Sequence, residues 1–239
     1  MSKVFVTGDT HGSERDLLKL TSRMFLNGND LTKEDYVIIA GDFGFIWKSY
    51  SDGLENDYMK WFEDRPWTTL VIPGNHENYN RIFKLPVSKM FGGKVRVYND
   101  SVILLERGEI YTIAEKTFWV MGGGLSIDKV YRTPEISWWE QEQPNYNELD
   151  NGINSLAKVK GKVDYIITHV APESALKQIL SEFDGVHPKY YDKLSYYLET
   201  ILNEHIIDYN HWYCGHYHCD KEIKDKKLTV LYNIIREII

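Results

Sequence analysis

The sequence predicts an α/β protein built on two sheets. Strand-like and helix-like segments alternate through the first third of the chain. That order favours a partly parallel sheet whose ligand site lies beyond the carboxyl ends of its strands. Closely spaced strand-like segments then follow between Val95 and Met121, which favours antiparallel pairing. A chain of 239 residues, 43% of them hydrophobic, can bury one substantial core, so residues 1–239 are expected to form a single domain.

In order along the chain, Val4–Thr7 is a short apolar run of strand length. A helix is predicted over 13–27, with Ser13 as its N-cap and Leu17, Leu20 and Met24 at helical spacing. Tyr36–Ala40 is the next strand; Leu54, Tyr58, Trp61 and Phe62 mark a second helix before the strand Thr69–Ile72. Val95–Tyr98, Val102–Leu105, Ile110–Ile113 and Phe118–Met121 are strand candidates, with Arg107-Gly108 read as a tight turn among them. Gly122-Gly123-Gly124 opens an aromatic and polar stretch, Ser126 to Tyr146. Helices are expected over Asn147–Val159, Glu173–Leu180 and Tyr190–Glu204, and two strands joined across Lys226-Lys227 between Lys221 and Ile235. No internal repeat or low-complexity tract interrupts the series.

Charge and cysteine content narrow the function. A formal charge of −7 argues against an extended nucleic-acid surface, which would be basic, but leaves room for a small phosphate pocket. Cys214 and Cys219 are too few to staple a chain of this length, and Cys214 reads as a small buried residue. Met1-Ser2-Lys3 leads into the first strand without an apolar signal-like region, and no apolar stretch approaches the ~20 residues of a membrane span. No membrane association and a cytoplasmic location are expected.

Five apolar runs end in side chains that bind metals: Val4 to Gly12, Tyr36 to Gly44, Thr69 to Asn78, Asp164 to Pro172 and His211 to Cys219. Loops at strand ends are where a rigid scaffold displays functional groups. Most of the motifs alone have a plain structural reading. Asp9, in Gly8-Asp9-Thr10-His11-Gly12, would cap the following helix; Asp42 would be a turn residue; Asn75, beside His76, would form an Asn turn. His169 would be a lone structural histidine. His216 and His218 already point beyond a structural role: two apart on an extended strand they face the same side, where neutral imidazoles suit shared or adjacent metal ligation. The coincidence of all five decides against these readings. Five of the eight histidines sit in such settings, whereas His187, His205 and His211 do not and are read as structural. Oxygen and nitrogen donors without thiolate suit Mn, Fe or Zn, in numbers sufficient for two ions, and a thiolate zinc site is disfavoured.

The ordered series Gly-Asp-Thr-His-Gly (8–12), Gly-Asp (41–42), Gly-Asn-His-Glu (74–77), His169 and Gly-His-Tyr-His (215–218) resembles the calcineurin-like metallophosphoesterase superfamily over most of the chain. The resemblance implies a four-layer αββα sandwich, two mixed β-sheets flanked by helices. It also implies two divalent metal ions, with Mn2+ first and Fe or Zn as alternatives. Carried over by motif, Asp9, His11 and His218 would hold one ion and Asn75, His169 and His216 the other, with Asp42 between them. His76 would assist the leaving group. The expected reaction is hydrolysis of a phosphate mono- or diester by a hydroxide shared between ions about 3.5 Å apart.

One departure bears on the substrate. Protein serine/threonine phosphatases carry an Asp-Arg pair shortly after the second motif, where this chain has Phe43-Gly44-Phe45-Ile46-Trp47. A bidentate phosphate clamp is therefore missing at that place. Lys129 and Arg132 are candidate substitutes for binding phosphate, and Trp47, Tyr131, Trp138 and Trp139 candidate stacking surfaces. A phosphorylated small molecule, a nucleotide and a phosphoprotein all remain expected substrates. A nucleotide or nucleic-acid phosphodiesterase, or a metal-retaining scaffold without turnover, are the alternatives. The presence of His76 and of every ligand position favours an enzyme.

Overall fold

The structure, a computed structural model, describes residues 2–180 and 192–239. In chain order the strands are β1 (Val4–Thr7), β2 (Tyr36–Ala40), β3 (Thr68–Ile72), β4 (Val87–Met90), β5 (Gly93–Asn99), β6 (Val102–Leu105), β7 (Ile110–Ile113), β8 (Lys116–Met121), β9 (Tyr165–Thr168), β10 (His211–Cys214), β11 (Lys221–Ile223), β12 (Leu228–Val230) and β13 (Arg236–Glu237). The helices are α1 (Glu14–Leu17), α2 (Gly53–Glu63), α3 (Tyr79–Ile82), α4 (Tyr146–Lys158), α5 (Glu173–Leu180) and α6 (Lys193–Asn203). One sheet has seven strands in the order β13-β1-β2-β3-β6-β5-β4, the other six in the order β11-β12-β10-β9-β8-β7. In the first, β1, β2, β3 and β6 run parallel; in the second, β8, β9, β10 and β12 do. Antiparallel strands complete each sheet, so both are mixed.

Alternation along the strands explains the layering. Successive side chains of a strand point to opposite faces, so a strand buried on both reads as an unbroken apolar run. Val4, Val6, Ile38, Ala40, Leu70 and Ile72 meet Phe118, Val120 and Ile167 between the two sheets. The residues between them in sequence, Phe5, Val37, Ile39 and Val71, face outward onto Leu17, Leu20, Met59 and Phe62 from the α1–α2 region. On the other outer face Trp119, Met121, Ile166 and Trp212 pack on Leu156 of α4, Ile179 of α5 and Leu198 of α6. Three cores thus separate four layers: helices, sheet, sheet, helices. Helix starts are satisfied locally, by Asp52 at α2, by Asp192 at α6 and by a reciprocal Asn145–Glu148 box at α4.

Several expectations need correction. The helix predicted over 13–27 breaks after one turn: α1 gives way to a 3₁₀ turn at Leu18–Leu20, and Thr21 is extended. Leu17 and Leu20 are buried as their spacing implied, but Met24 is 67% exposed and Phe25 is buried instead. The chain turns because Phe25 packs edge-on against Phe5 and Trp67, at 5.0 and 5.4 Å between centroids, a place no continuation of the helix would reach. Ser13 occupies the N-cap position without a side-chain hydrogen bond. The C-terminal pair is β11–β12 as expected, but the chain then returns to the first sheet as β13, which the sequence did not signal; nor did it signal β4. Residues 190 and 191 of the helix expected from Tyr190, and His187, lie outside the described residues.

Arg107-Gly108 is a turn, but not a hairpin: β6 and β7 on its two sides belong to different sheets. The buried Arg107 guanidinium fastens this crossing, donating to Tyr79 Oη at 2.6 Å, to both Glu148 carboxylate oxygens at 3.2 Å and to the carbonyls of Gln141 and Glu142. Gly108 has φ +74°, and a Cβ there would lie 2.5 Å from Gly152 N in α4. Gly108→Ala is therefore expected to lower unfolding free energy by roughly 1–3 kcal/mol, from overpacking on top of the left-handed backbone. Urea denaturation measures this, and an unchanged midpoint would contradict the close sheet-to-helix crossing.

Candidate metal centre

The parallel strands β1, β2 and β3 of one sheet and β9 and β10 of the other all end at the site. Asp9 follows β1, Asp42 follows β2, Asn75 follows β3, His169 follows β9 and His216 follows β10. Two groups of donors result. Asp9, His11 and His218 present ligand atoms within 4.8 Å of one another, and so do Asp42, His169 and His216. Asn75 joins the second group, its Oδ1 lying 2.9 Å from His169 Nε2. Asp42 faces both: Oδ2 is 3.5 Å from His11 Nε2, and Oδ1 is 3.2 Å from His169 Nε2.

The close approach of the sheets depends on Gly41, whose φ is +97°; a Cβ there would lie 1.9 Å from His169 Nδ1. With no side chain in the way, His169 Nδ1 meets Ala40 O at 3.0 Å, which turns Nε2 toward the donors. His11 is oriented likewise by Asp16, at 2.9 Å from its Nδ1. Asp9 does not cap a helix; its carboxylate accepts from His216 N at 3.0 and 3.1 Å. The His216–His218 segment is not extended, since φ is +71° at His216 and +49° at His218. The bend sends the two rings to different groups instead of to the same side.

The donor set fits divalent ions. His11 Nε2 and His218 Nε2 are 3.1 Å apart, and His169 Nε2 and His216 Nδ1 3.2 Å apart. Two nitrogens bound to one ion at about 2.0–2.1 Å would be separated by roughly 2.9–3.4 Å. Ring nitrogens at this spacing match two ligands of one ion once they are deprotonated. Electrostatics point the same way. Burial opposes ionisation of Asp42, yet the charge of His169 and the hydrogen bond from His11 hold its carboxyl well below the usual range. Asp9, also buried, is held low by His218 and His169. Burial likewise opposes charge on His11 and His169, but Asp42 raises both to about 9. His216 is pushed down to about 4 by burial and by His169. Protons on His11 and His169 thus offset two buried carboxylates, a role that cations would take over.

His76 belongs to neither donor group. Its backbone N–H donates to Asp42 Oδ1 at 2.7 Å, and its ring stacks on Trp47 at 6.3 Å. Arg132 Nη2 lies 3.0 Å from His76 Nε2 and 2.8 Å from Asp128 Oδ2. Burial lowers the pKa of His76 despite Asp42, and Arg132 lowers it further.

The family model of calcineurin-like phosphoesterases matches residues 2–220. The chain belongs to the calcineurin-like phosphoesterase family. Its fold of two mixed sheets flanked by helices agrees with that membership, and the family implies a dinuclear divalent metal site. No curated protein matches. Among solved structures, a cold-active protein-tyrosine phosphatase of a psychrophilic Shewanella species is similar at 16% identity and a TM-score of 0.36, over 98% of this chain and 71% of that one.

Of the other residues singled out in this phosphoesterase, Arg132 reaches His76, whereas the Lys129 ammonium lies over the Trp138 ring, 5.7 Å from its centroid. Trp139 is buried edge-on against Trp47, and Tyr131 is 90% exposed. Sequence reasoning missed Asp16, which looks like an ordinary acid in a helical first turn. It missed Lys19, whose ammonium binds the carbonyls of Gly8 and Asp9 at 3.0 and 2.6 Å. It also missed Ser126 and Glu142: Asn75 Nδ2 donates to Ser126 Oγ at 3.1 Å, and Ser126 Oγ donates to Glu142 Oε2 at 2.6 Å. No local signal marks that chain, because its members lie 51 and 16 residues apart.

Ser126→Ala would leave the buried Glu142 oxygen and Asn75 amide without these partners. A loss of about 1–3 kcal/mol is expected. Chemical denaturation of the variant checks this, and unchanged stability would show that the chain does not anchor Asn75.

Proposed function

We propose that this phosphoesterase hydrolyses a phosphate mono- or diester using two divalent ions, with Mn2+ as the first choice and Fe or Zn as alternatives. Asp9, His11 and His218 would hold one ion; Asn75, His169 and His216 would hold the other; Asp42 would be shared. The observation that carries this reading is the placement of Asp42, one carboxylate oxygen toward His11 and the other toward His169. The ions, when bound, would supply a nucleophile by lowering the pKa of a water and would polarise the phosphoryl oxygens.

The chain's own groups would do the rest. Asp42 fixes the backbone of His76, so the same carboxylate that is shared between the donor groups also sets the position of the His76 ring. Trp47 supports one face of that ring. Burial and Arg132 lower the His76 pKa, and the ring would stabilise the leaving oxygen through an N–H hydrogen bond. Arg132, tethered by Asp128, would contact phosphate in place of the missing Asp-Arg pair. The substrate would be a phosphorylated small molecule, a nucleotide or a phosphoprotein. The setting proposed is cytoplasmic, and no helix of the described residues is long and apolar enough to cross a membrane.

Two substitutions separate the roles. His76→Ala should retain both ions, by elemental analysis, while kcat falls by about 10²–10⁴-fold; wild-type turnover in that variant would remove His76 from the reaction. Asp42→Ala should lose metal and activity together, so a fully loaded Asp42 variant would refute the shared ligand.

A further inference from the structure

Two cavities open beside the donor groups, and among the described residues only His76 lines both. The first, of about 290 Å³, reaches His11 and is walled by Phe45, Trp47 and Tyr58. The second, of about 410 Å³, reaches Asp42, Asn75, His216 and His218 and is walled chiefly by Leu125, Ile127 and Leu176. A phosphorus atom in reach of both donor groups and His76 therefore has organic-sized space in two directions. A monoester has one organic substituent and would leave one of these cavities without an occupant.

Charge provides an independent observation. Beyond the donor groups, the described residues of the linings carry one lysine, Lys48, and the carboxylates of Asp52, Glu55, Asp128 and Asp192. Lys48 is paired with Asp52, and Arg132, the cation on His76, is paired with Asp128. Glu55 is occupied by Arg81, and Asp192 accepts from Leu125 N. Among the described residues, the walls thus add no net positive charge. A monoester phosphate carries about 1.5–2 negative charges at neutral pH, and beyond the two ions and Arg132 these walls add no further cation for it. A diester carries one, and its uncharged arms match apolar walls.

Resting on the phosphoesterase reading above, we infer that the substrate is a small phosphodiester with two uncharged organic arms. One arm bears a planar ring, as a nucleobase does, and stacks in the aromatic cavity. The other is a less polar group held by the aliphatic cavity. Water adds to phosphorus, the bond to one ester oxygen breaks, and that oxygen leaves as an alcohol after gaining a proton; the product is a monoester.

The test uses the full chain loaded with Mn2+, given bis(4-nitrophenyl) phosphate and 4-nitrophenyl phosphate in parallel. The diester is expected to have a kcat/KM at least about tenfold higher, the scale of discrimination that apolar contacts provide. Leu54→Trp and Ile127→Trp fill the first and second cavity at positions 56% and 62% exposed, where the core is not burdened. Each should lower kcat/KM for the diester mainly by raising KM. Preferred turnover of the monoester would overturn the diester inference and leave the phosphoesterase reading intact. Full diester activity in both tryptophan variants would overturn the seating of the arms. Turnover of neither compound by protein with two bound Mn2+ would overturn both readings.

Discussion

Two carboxylates, Asp9 and Asp42, are buried together where strands of two sheets end, and they are the constraint around which the rest is arranged. An ionised carboxylate removed from water costs several kcal/mol unless positive charge and hydrogen bonds are supplied. Here the compensation comes from imidazoles of four separate strand ends and from backbone N–H groups of His76 and His216. The carboxylates in turn favour the protonated form of His11 and His169, whereas burial and His169 disfavour it at His216. Such a site is poised for divalent cations.

The scaffold sustains that cost because the central strands of both sheets are buried on both faces. Each fully buried Val, Ile or Leu contributes about 1.5–3 kcal/mol, and the strands that lead into the site are composed largely of them. The three cores also fix register: a slip of one residue would exchange the inward and outward faces of β1, β2 or β3 and move Asp9, Asp42 or Asn75 away from the common point. Polar ties act where apolar packing cannot, Arg107 at the crossing between sheets and Lys19 on the carbonyls behind Asp9.

Around this centre the chain distributes its remaining chemistry unevenly. His76 stands between Trp47 and Arg132, outside the donor groups but fixed by one of their carboxylates. The aromatic stretch after the triple glycine places Arg132 on His76, Ser126 on Asn75 and Trp139 on Trp47, while the Lys129 ammonium lies over the Trp138 ring and Tyr131 is exposed. Proximity in sequence to a functional residue was a poor guide there, since a loop without periodicity carries no information about which side chains face inward.

Much was legible in the chain itself. Apolar runs of strand length, the donors at their tips, and the helices α2, α4 and α5 follow from periodicity and turn chemistry, which are local properties. The motif order was sufficient to place the chain among metallophosphoesterases. Where the sequence misled, a long-range contact outweighed a local pattern: Phe25 on Phe5 and Trp67 broke the first helix, and the left-handed turns at His216 and His218 replaced an extended segment. The sequence by itself determined which residue types stand at which strand ends. Only the tertiary structure decided which of them meet, as when His11 and His218, 207 residues apart, come within 3.1 Å. Such a meeting depends on how two sheets pack face to face, and no spacing along the chain encodes it.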